Sequence, residues 1–395
     1  MAPVNAREAP GTSRNLLRGP IAALRDARNP QVPSYILRFM RSRRLALEPL
    51  ASFSRGSPQS VSAMSAPQSK FGVIPRIHAV GLEQALAFWQ TCPNATPFMH
   101  PQVLGALCSE VTWWLAEVDA KPVCLWPACV RLDGMRDTPE FSYYVGPSWA
   151  PIASEGSARA RMMLRSAVID ALCTHMVEQY RGFSCELSPG DQDLRGFRWW
   201  AMARGRESQL QIKPQYTAVI RALATLDETA ILQRFSSKRR SRVRRYQREH
   251  TPLQRPWELA DCLRLYAQLA QRVSQIHLRT RDLELAALCA LVRDGFGFVH
   301  AYTDSDGQPI RGLRLALTLG DTACDVLSIT DPQARASDLS AWMTWRALLH
   351  SRVAGVKVHD FNGANGLTRA SDIHSYGAEA ELYFSIEYSE SHATG

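Results

Sequence analysis

Long apolar runs and the common catalytic signatures are absent from this sequence. No stretch approaches the roughly 18–20 consecutive apolar residues that a membrane-spanning helix requires, and the run Leu285–Val292 suits a buried helix face instead. Neither a G-x-S-x-G elbow, a P-loop nor a dinucleotide-binding fingerprint occurs. These absences argue against a membrane-spanning protein, an α/β-type serine hydrolase and a nucleotide-phosphate-loop enzyme.

The cysteine pattern contains neither a disulfide framework nor a metal motif. Nine cysteines are scattered singly, none forms C-x-x-C, and no Cys/His set has the spacing of zinc ligands. An odd number of isolated cysteines is typical of reduced thiols. The sequence therefore predicts a cytoplasmic protein with no bound metal.

The positive charge of the chain is concentrated in two segments. The composition is globular, with 46% hydrophobic and 21% charged residues, and the formal net charge is +9. Residues 1–68 hold ten arginines against three acids, and residues 231–250 hold eight basic residues against one acid. The remainder is mildly acidic, which favours a local anion site over a broad polyanion-binding surface.

Residues 1–68 are rich in Arg, Pro, Ser and Ala and contain no lysine. This composition predicts a flexible extension. Three interpretations stay open: a basic tail that contacts RNA or a membrane surface, an organellar transit peptide, or translated upstream sequence that precedes a start at Met64. No function is assigned to this segment.

From about residue 70 the pattern predicts a repeated order of elements. Helices are expected over Gly81–Thr91 and His100–Val111. The first copy then comprises strands Trp113–Val118, Val123–Leu132 and Glu140–Val145, helix Ser157–Tyr180 and strand Phe183–Leu187. The second copy comprises strands Phe298–Thr303, Ile310–Leu319 and Ala323–Ile329, helix Asp338–Val353 and strand Val356–Phe361.

Two copies of hairpin, strand, helix and strand predict a duplicated α/β lobe. We expect lobes over 69–213 and 214–395, each with a mixed sheet whose strand–helix–strand portion is parallel. Acids close the late strand of each copy, Glu186 in the first and Asp360 in the second.

Several short segments give the chain a family resemblance over roughly 70–388. They are Thr96–Pro101 before a helix, Phe141–Pro147 at a strand end, Tyr216–Ile220 followed by Ser237–Arg245, and His359–Asn365 followed by Tyr376-Gly377-Ala378. In this order they resemble the FemAB-like proteins, which are related to the GNAT acyltransferases. The resemblance implies an α/β fold of two tandem GNAT-like lobes with mixed sheets.

The basic helix predicted around residues 232–248 is the first candidate site. Arg240, Arg244 and Arg248 recur every four residues on one face, so their guanidinium groups form a row suited to phosphate oxygens. A solvated outer face is the alternative. In the family that the chain resembles, this helix lies near donor or acceptor phosphates, which implies a phosphate-binding role for Arg240 and then Arg244.

The loop Asp360–Gly366 is the second candidate site, because loops that follow parallel strands line ligand clefts in open α/β sheets. Asp360 is expected to orient the attacking amine, and Asn362 or Asn365 to hydrogen-bond the substrate. A capped turn is the alternative, since Asn-Gly and Asp favour turns.

The third candidate precedes an aromatic–glycine pair, Tyr376-Gly377. Related proteins carry a lysine at the position of Ile373, where it stabilises developing negative charge. That ammonium is missing here, and the adjacent His374 is the candidate base or oxyanion donor. An exposed helix histidine without a catalytic role is the alternative. Tyr376 and Tyr144 are further candidates for the substrate cleft, although aromatic strand residues usually belong to the core.

The resemblance implies N-acyl transfer from acyl-CoA, or from a carrier, to a small-molecule or glycan amine, for instance in cell-envelope or polysaccharide biosynthesis. Acyl-CoA would act as a co-substrate, and no cofactor would stay bound. One alternative is aminoacyl transfer from aminoacyl-tRNA. Another is a non-catalytic polyanion-binding module. Neither the acceptor nor the oligomeric state follows from the sequence.

Overall fold

The computed structural model describes residues 72–270, 278–303, 308–332, 334 and 338–390, with the side chains of residues 278–281 excluded. All of these residues lie in one compact unit, Leu50–Gly395. The predicted flexible extension, residues 1–68, lies outside the described residues.

Twelve strands and ten α-helices occur within these ranges. The strands are β1 Arg76–Val80, β2 Cys108–Val118, β3 Lys121–Arg131, β4 Ser148–Trp149, β5 Gly182–Glu186, β6 Leu210–Ile220, β7 Leu253–Gln254, β8 Gly297–Thr303, β9 Gly312–Leu319, β10 Thr322–Thr330, β11 Val358–Asp360 and β12 Glu379–Ser389. The helices are α1 Leu82–Thr91, α2 Pro101–Leu107, α3 Ala158–Tyr180, α4 Arg195–Met202, α5 Glu228–Arg234, α6 Ser237–Glu249, α7 Leu259–Ala270, α8 Leu278–Arg293, α9 Leu339–Val353 and α10 Leu367–His374.

The strands form two sheets of unequal size. The first has the order β1-β2-β3-β4, and every pair in it is antiparallel. The second has the order β5-β12-β6-β11-β10-β9-β8-β7. Its β10 and β11 are parallel and are joined by α9, as the sequence pattern of the second copy predicts.

The predicted strand Glu140–Val145 is wrong, because this segment is a loop. Tyr144 has a left-handed backbone, with φ of 60°, which extended pairing does not tolerate. The late strand of the first copy, β5, consequently has no parallel neighbour in its own sheet. It pairs with β12 instead, in antiparallel register, and so lies at the edge of the second sheet.

The predicted helix His100–Val111 is only partly right, since α2 ends at Leu107 and β2 begins at Cys108. The other predicted helices and strands of the two copies occur close to their expected positions. The lobe boundary expected at 213/214 stays a prediction; β6 runs through that position and contributes to the second sheet.

Local chemistry explains several of these boundaries. The β2–β3 hairpin turns at Asp119 and Ala120, both with positive φ, which matches the twist of a two-residue hairpin. Ser157 caps α3 by accepting a hydrogen bond from the amide of Ala160 at 3.2 Å. Asp227 caps α5 in the same way, through the amide of Ala230 at 2.7 Å.

The core of the described residues has three large apolar clusters. One joins the first sheet and α7–α8 to strands β8–β10, the second lies between the second sheet and α9, and the third surrounds α3–α4. All nine cysteines are free thiols buried in these clusters. No helix in the described ranges combines the length and apolarity that a bilayer crossing needs.

Candidate active site at the ends of β5 and β11

The carboxylates that close β5 and β11 are both hydrogen-bonded to one tyrosine. The Tyr144 amide donates to Glu186 Oε2 at 3.2 Å, and the Tyr144 hydroxyl donates to Asp360 Oδ2 at 2.8 Å. The left-handed backbone of Tyr144 directs its amide and its ring to different neighbours. Glu186 and Asp360, which end the same strand in the two copies, therefore lie on either side of this one residue.

Asp360 is 4% exposed, and both of its oxygens are occupied. Oδ1 accepts from the Thr217 hydroxyl and from the Asn362 amide, the latter at 2.8 Å, while Oδ2 accepts from Tyr144. Burial raises the pKa of Asp360, and the hydrogen bonds from Thr217, Asn362 and Tyr144 act in the opposite direction. The arrangement holds this carboxylate rigidly and away from solvent.

The loop after β11 is fixed from both ends. Asn362 is fully buried with φ of 51°, and its side-chain amide donates to the Asp325 carbonyl at 2.5 Å. The Arg369 guanidinium of α10 donates to the carbonyls of Phe361 and Gly363 at 2.8 and 2.9 Å. The loop is therefore preorganised by the protein itself.

A buried ionic network supports this loop from the sheet. Arg314 binds Asp325 through both carboxylate oxygens and donates to the Thr344 hydroxyl at 2.6 Å. His359 lies 3.4 Å from Asp325 on one side and 3.0 Å from the Ser351 hydroxyl on the other. Despite burial, the charges of Arg314 and His359 lower the pKa of Asp325. These groups are all buried, so the Ser–His–Asp alignment has no access to a substrate.

Tyr143, Tyr383 and Asn365 surround the Glu186 side of Tyr144. Burial and the Glu186 carboxylate raise the pKa of Tyr383, and burial raises that of Tyr143, with Arg369 acting against it. Asn365 is exposed and accepts a hydrogen bond from the Tyr216 amide at 2.6 Å. The Tyr143 phenol, the Asn365 amide and the half-buried Glu186 carboxylate thus form one rim, next to the buried Tyr383.

The arginines of α6 divide into two sets. Arg239, Arg242 and Arg245 form ion pairs with acids of other elements, Asp372 in the first case and Asp338 in the other two. The helix itself holds no acid among these arginines, and the acids that pair with this set come from distant parts of the chain.

The other set is the row that the sequence singles out. The Arg240 guanidinium donates to the carbonyls of Gln233, at 2.9 Å, and Phe235, so it caps the end of α5. Arg244 and Arg248 are exposed, and neither forms an ion pair with any residue in the described part of the chain. Arg244 and Arg248, more than Arg240, are available to an external anion.

Two further predicted residues lie apart from Asp360. His374 is exposed at the end of α10, where its Nδ1 lies 2.9 Å from the Ala378 carbonyl. Tyr376 is 2% exposed and packs against Phe235 and Phe361, with the Arg239 guanidinium 4.9 Å above its ring. Of the predicted site residues, the structure brings Asp360, Asn362 and Tyr144 into direct contact.

Sequence reasoning missed Glu186, Thr217 and Tyr383 as neighbours of Asp360. A signal for Glu186 is present, since it closes the same strand of the first copy as Asp360 closes in the second. No local signal marks Thr217 or Tyr383, because pairings of β6 with β11 and β12 bring them to this place.

Comparison with known proteins supports the fold. No protein-family model matches the chain, and no curated protein sequence matches it. Among solved structures the chain is similar to FemX, with 12% identity and a TM-score of 0.54 over 78% of this chain and 96% of that one. A tandem GNAT protein from the clavulanic acid biosynthesis pathway matches at 12% identity and a TM-score of 0.48, over 79% of this chain and 98% of that one.

At these identities the likeness concerns the fold alone. The chain has an α/β fold similar to that of FemX, in agreement with the fold that the sequence resemblance implies.

Proposed function

We propose that the protein is an N-acyltransferase that joins an acyl group from a CoA thioester, or from a carrier, to a primary amine. The observation that carries the proposal is the meeting of the two duplicated strand ends at Tyr144, with Glu186 on its amide and Asp360 on its hydroxyl. β5 and β11 belong to the same sheet, with β12 and β6 between them, and the carboxyl ends of strands are a common place for ligands in open α/β sheets.

Acyl transfer to an amine makes modest demands on side chains. The enzyme must place the amine against the carbonyl, stabilise negative charge on the carbonyl oxygen and accept a proton. The rim offers the Tyr143 hydroxyl as a hydrogen-bond donor and the Glu186 carboxylate as a proton acceptor. In this proposal Asp360 positions Tyr144 and the loop after β11, because its own oxygens are occupied.

The exposed arginines of α6 support a phosphate-bearing donor. Arg244 and Arg248 lie four residues apart on one helical face, and in the described part of the chain no acid neutralises them. Guanidinium groups so placed bind phosphate oxygens. The 3′-phosphate or the pyrophosphate of CoA is a suitable ligand, and so is the phosphate backbone of a tRNA.

A second candidate function is therefore aminoacyl transfer from aminoacyl-tRNA, favoured by the same two arginines. The donors are distinguished by incubating the full chain with acyl-CoAs or with charged tRNA, together with a panel of primary amines, and detecting amide products by mass spectrometry. Products with acyl-CoA alone support the first proposal, and products with charged tRNA alone move the assignment to the second. RNA binding that weakens steeply with salt, without any product, would contradict both and indicate a polyanion-binding module.

A further inference from the structure

Glu186 is held at the end of β5 by the loop that carries Tyr143 and Tyr144. Its amide donates to the Val145 carbonyl at 3.0 Å, and its register partner on β12 is Ser385. Gly146 approaches so closely that a methyl group there would lie 2.6 Å from the Glu186 carbonyl oxygen. The position of the carboxylate is thus set by backbone contacts on two sides.

The Glu186 carboxylate is only half satisfied. Oε2 accepts one hydrogen bond, from the Tyr144 amide, whereas Oε1 has no donor among the residues that the structure describes. No Lys, Arg or His of the described chain forms an ion pair with it. The buried or half-buried acids Asp191, Asp325 and Asp338 each have an arginine partner.

The surroundings favour a cation at Oε1. Burial raises the pKa of Glu186, with the Tyr144 amide acting against it, and Asp360 lies on the other side of Tyr144. Arg369, the cation on this side of the loop, already donates to loop carbonyls. A half-buried carboxylate that lacks a counter-ion and still reaches solvent is a favourable place for a cationic ligand to bind.

We infer that Glu186 Oε1 binds the ammonium group of the acceptor and takes its proton. This inference rests on the proposed function. The acceptor enters as a primary ammonium ion and loses one proton to Glu186, which passes it to solvent. The nitrogen lone pair then attacks the donor carbonyl. A C–N bond forms as the C–S or C–O bond of the donor breaks, and the second nitrogen proton leaves with the departing thiol or hydroxyl.

The acceptor class follows from this geometry. The group that binds must be a primary amine that is protonated in solution. A hydroxyl acceptor would leave the carboxylate without its cation, so amide formation is favoured over ester formation at this site.

The test compares Glu186→Gln and Glu186→Asp with Glu387→Gln, which neutralises an exposed acid on β12. Both substitutions at Glu186 keep an acceptor for the Tyr144 amide, and circular dichroism with thermal unfolding verifies folding. With the donor that supports transfer by the wild type, we expect Glu186→Gln to lower kcat/KM by about 100-fold or more. It should also abolish the acid limb of the pH profile, while Glu186→Asp retains that limb.

A second measurement needs no donor. Carbodiimide-driven coupling of methylamine to the full chain at about pH 6, followed by peptide mapping, should modify Glu186 and spare Asp360, because coupling requires a reachable carboxyl. Modification of Asp360 with Glu186 spared would overturn the inference.

The outcomes separate the two proposals. A wild type that forms no amide from any donor removes the proposed function, and the role of Glu186 falls with it. An active wild type whose Glu186→Gln variant matches Glu387→Gln in rate and pH profile leaves the function standing and refutes the role of Glu186.

Discussion

The hydroxyl of Tyr144 lies 2.8 Å from Oδ2 of Asp360, across 216 residues of sequence. A side chain of the first copy thereby donates a hydrogen bond to the buried acid of the second. This contact makes the two copies interdependent, since removing the Tyr144 hydroxyl leaves the buried Asp360 with donors at Oδ1 only.

Tyr144→Phe tests that interdependence. Loss of the hydroxyl leaves Asp360 Oδ2 without its closest donor in a site that is 4% exposed, so we expect a loss of about 1–3 kcal/mol in the free energy of unfolding. Denaturant titration of the full chain measures it. Tyr143→Phe is the control, because no described residue hydrogen-bonds its hydroxyl, and a comparable loss there would contradict the explanation.

Glu284 predicts a pH dependence of stability. It is fully buried on α8, accepts a hydrogen bond from the Phe141 amide at 3.3 Å, and has a pKa raised to about 7 by burial, with Arg131 opposing and Glu140 reinforcing the shift. Because the folded pKa exceeds the unfolded one, the contribution of Glu284 to stability is fully present below about pH 4.5, and about 3 kcal/mol of it is lost as the pH rises through about 7.

Glu284→Gln should flatten this slope, which unfolding titrations between about pH 4 and 8 measure. Glu387→Gln, at an exposed position, should keep the slope of the wild type. Equal slopes in all three proteins would show that Glu284 does not titrate in this window.

The buried pair Arg314–Asp325 should be far more sensitive than a surface pair. Arg314→Met leaves Asp325 charged and buried beside His359, and we expect a loss of about 3–5 kcal/mol. Lys357→Ala breaks the exposed pair with Asp321 and should change stability by less than about 1 kcal/mol. Thermal and denaturant unfolding measure the stability of the two variants. Similar losses in both would indicate that water reaches the Arg314–Asp325 pair, which would contradict its burial.

Arg244 and Arg248 are expected to contribute to donor affinity, and replacing them should not lower the stability of the fold. We expect Arg244→Ala combined with Arg248→Ala to weaken binding of CoA or tRNA by tenfold or more, since a charge-assisted hydrogen bond contributes about 1.5–3 kcal/mol. Calorimetry at two salt concentrations measures it, with Arg198→Ala, an exposed arginine of α4, as the control. Arg240→Ala is less informative, because it also uncaps α5.

Much of this fold is predictable because local patterns determine it. The helix Ser157–Tyr180 and the order of β8–β11 follow from periodicity and turn residues. The segment Glu140–Val145 has the composition of a strand, but tertiary contacts of Tyr144 impose a left-handed backbone there. Propensity does not include such contacts.

The candidate site is less predictable for a related reason. Asp360 and its loop are visible in sequence because Asn and Gly mark a turn. Whether an acid is saturated, as Asp360 is, or has a free oxygen, as Glu186 has, depends on which distant donors reach it. Likewise the sequence shows the row of arginines that contains Arg240. It does not show that the Arg240 guanidinium donates to carbonyls at the end of α5, which depends on how α5 and α6 meet.

The pairing of β5 with β12 has a mechanical consequence. A strand from the first copy is the edge of the second sheet, and β12 joins it to β6 through continuous ladders. A rotation of one copy relative to the other would have to break the hydrogen bonds of those ladders. The sheet therefore keeps the distance between Glu186 and Asp360 fixed. If the proposed function holds, access for substrates depends on side chains and short loops at the rim and not on the opening and closing of whole lobes.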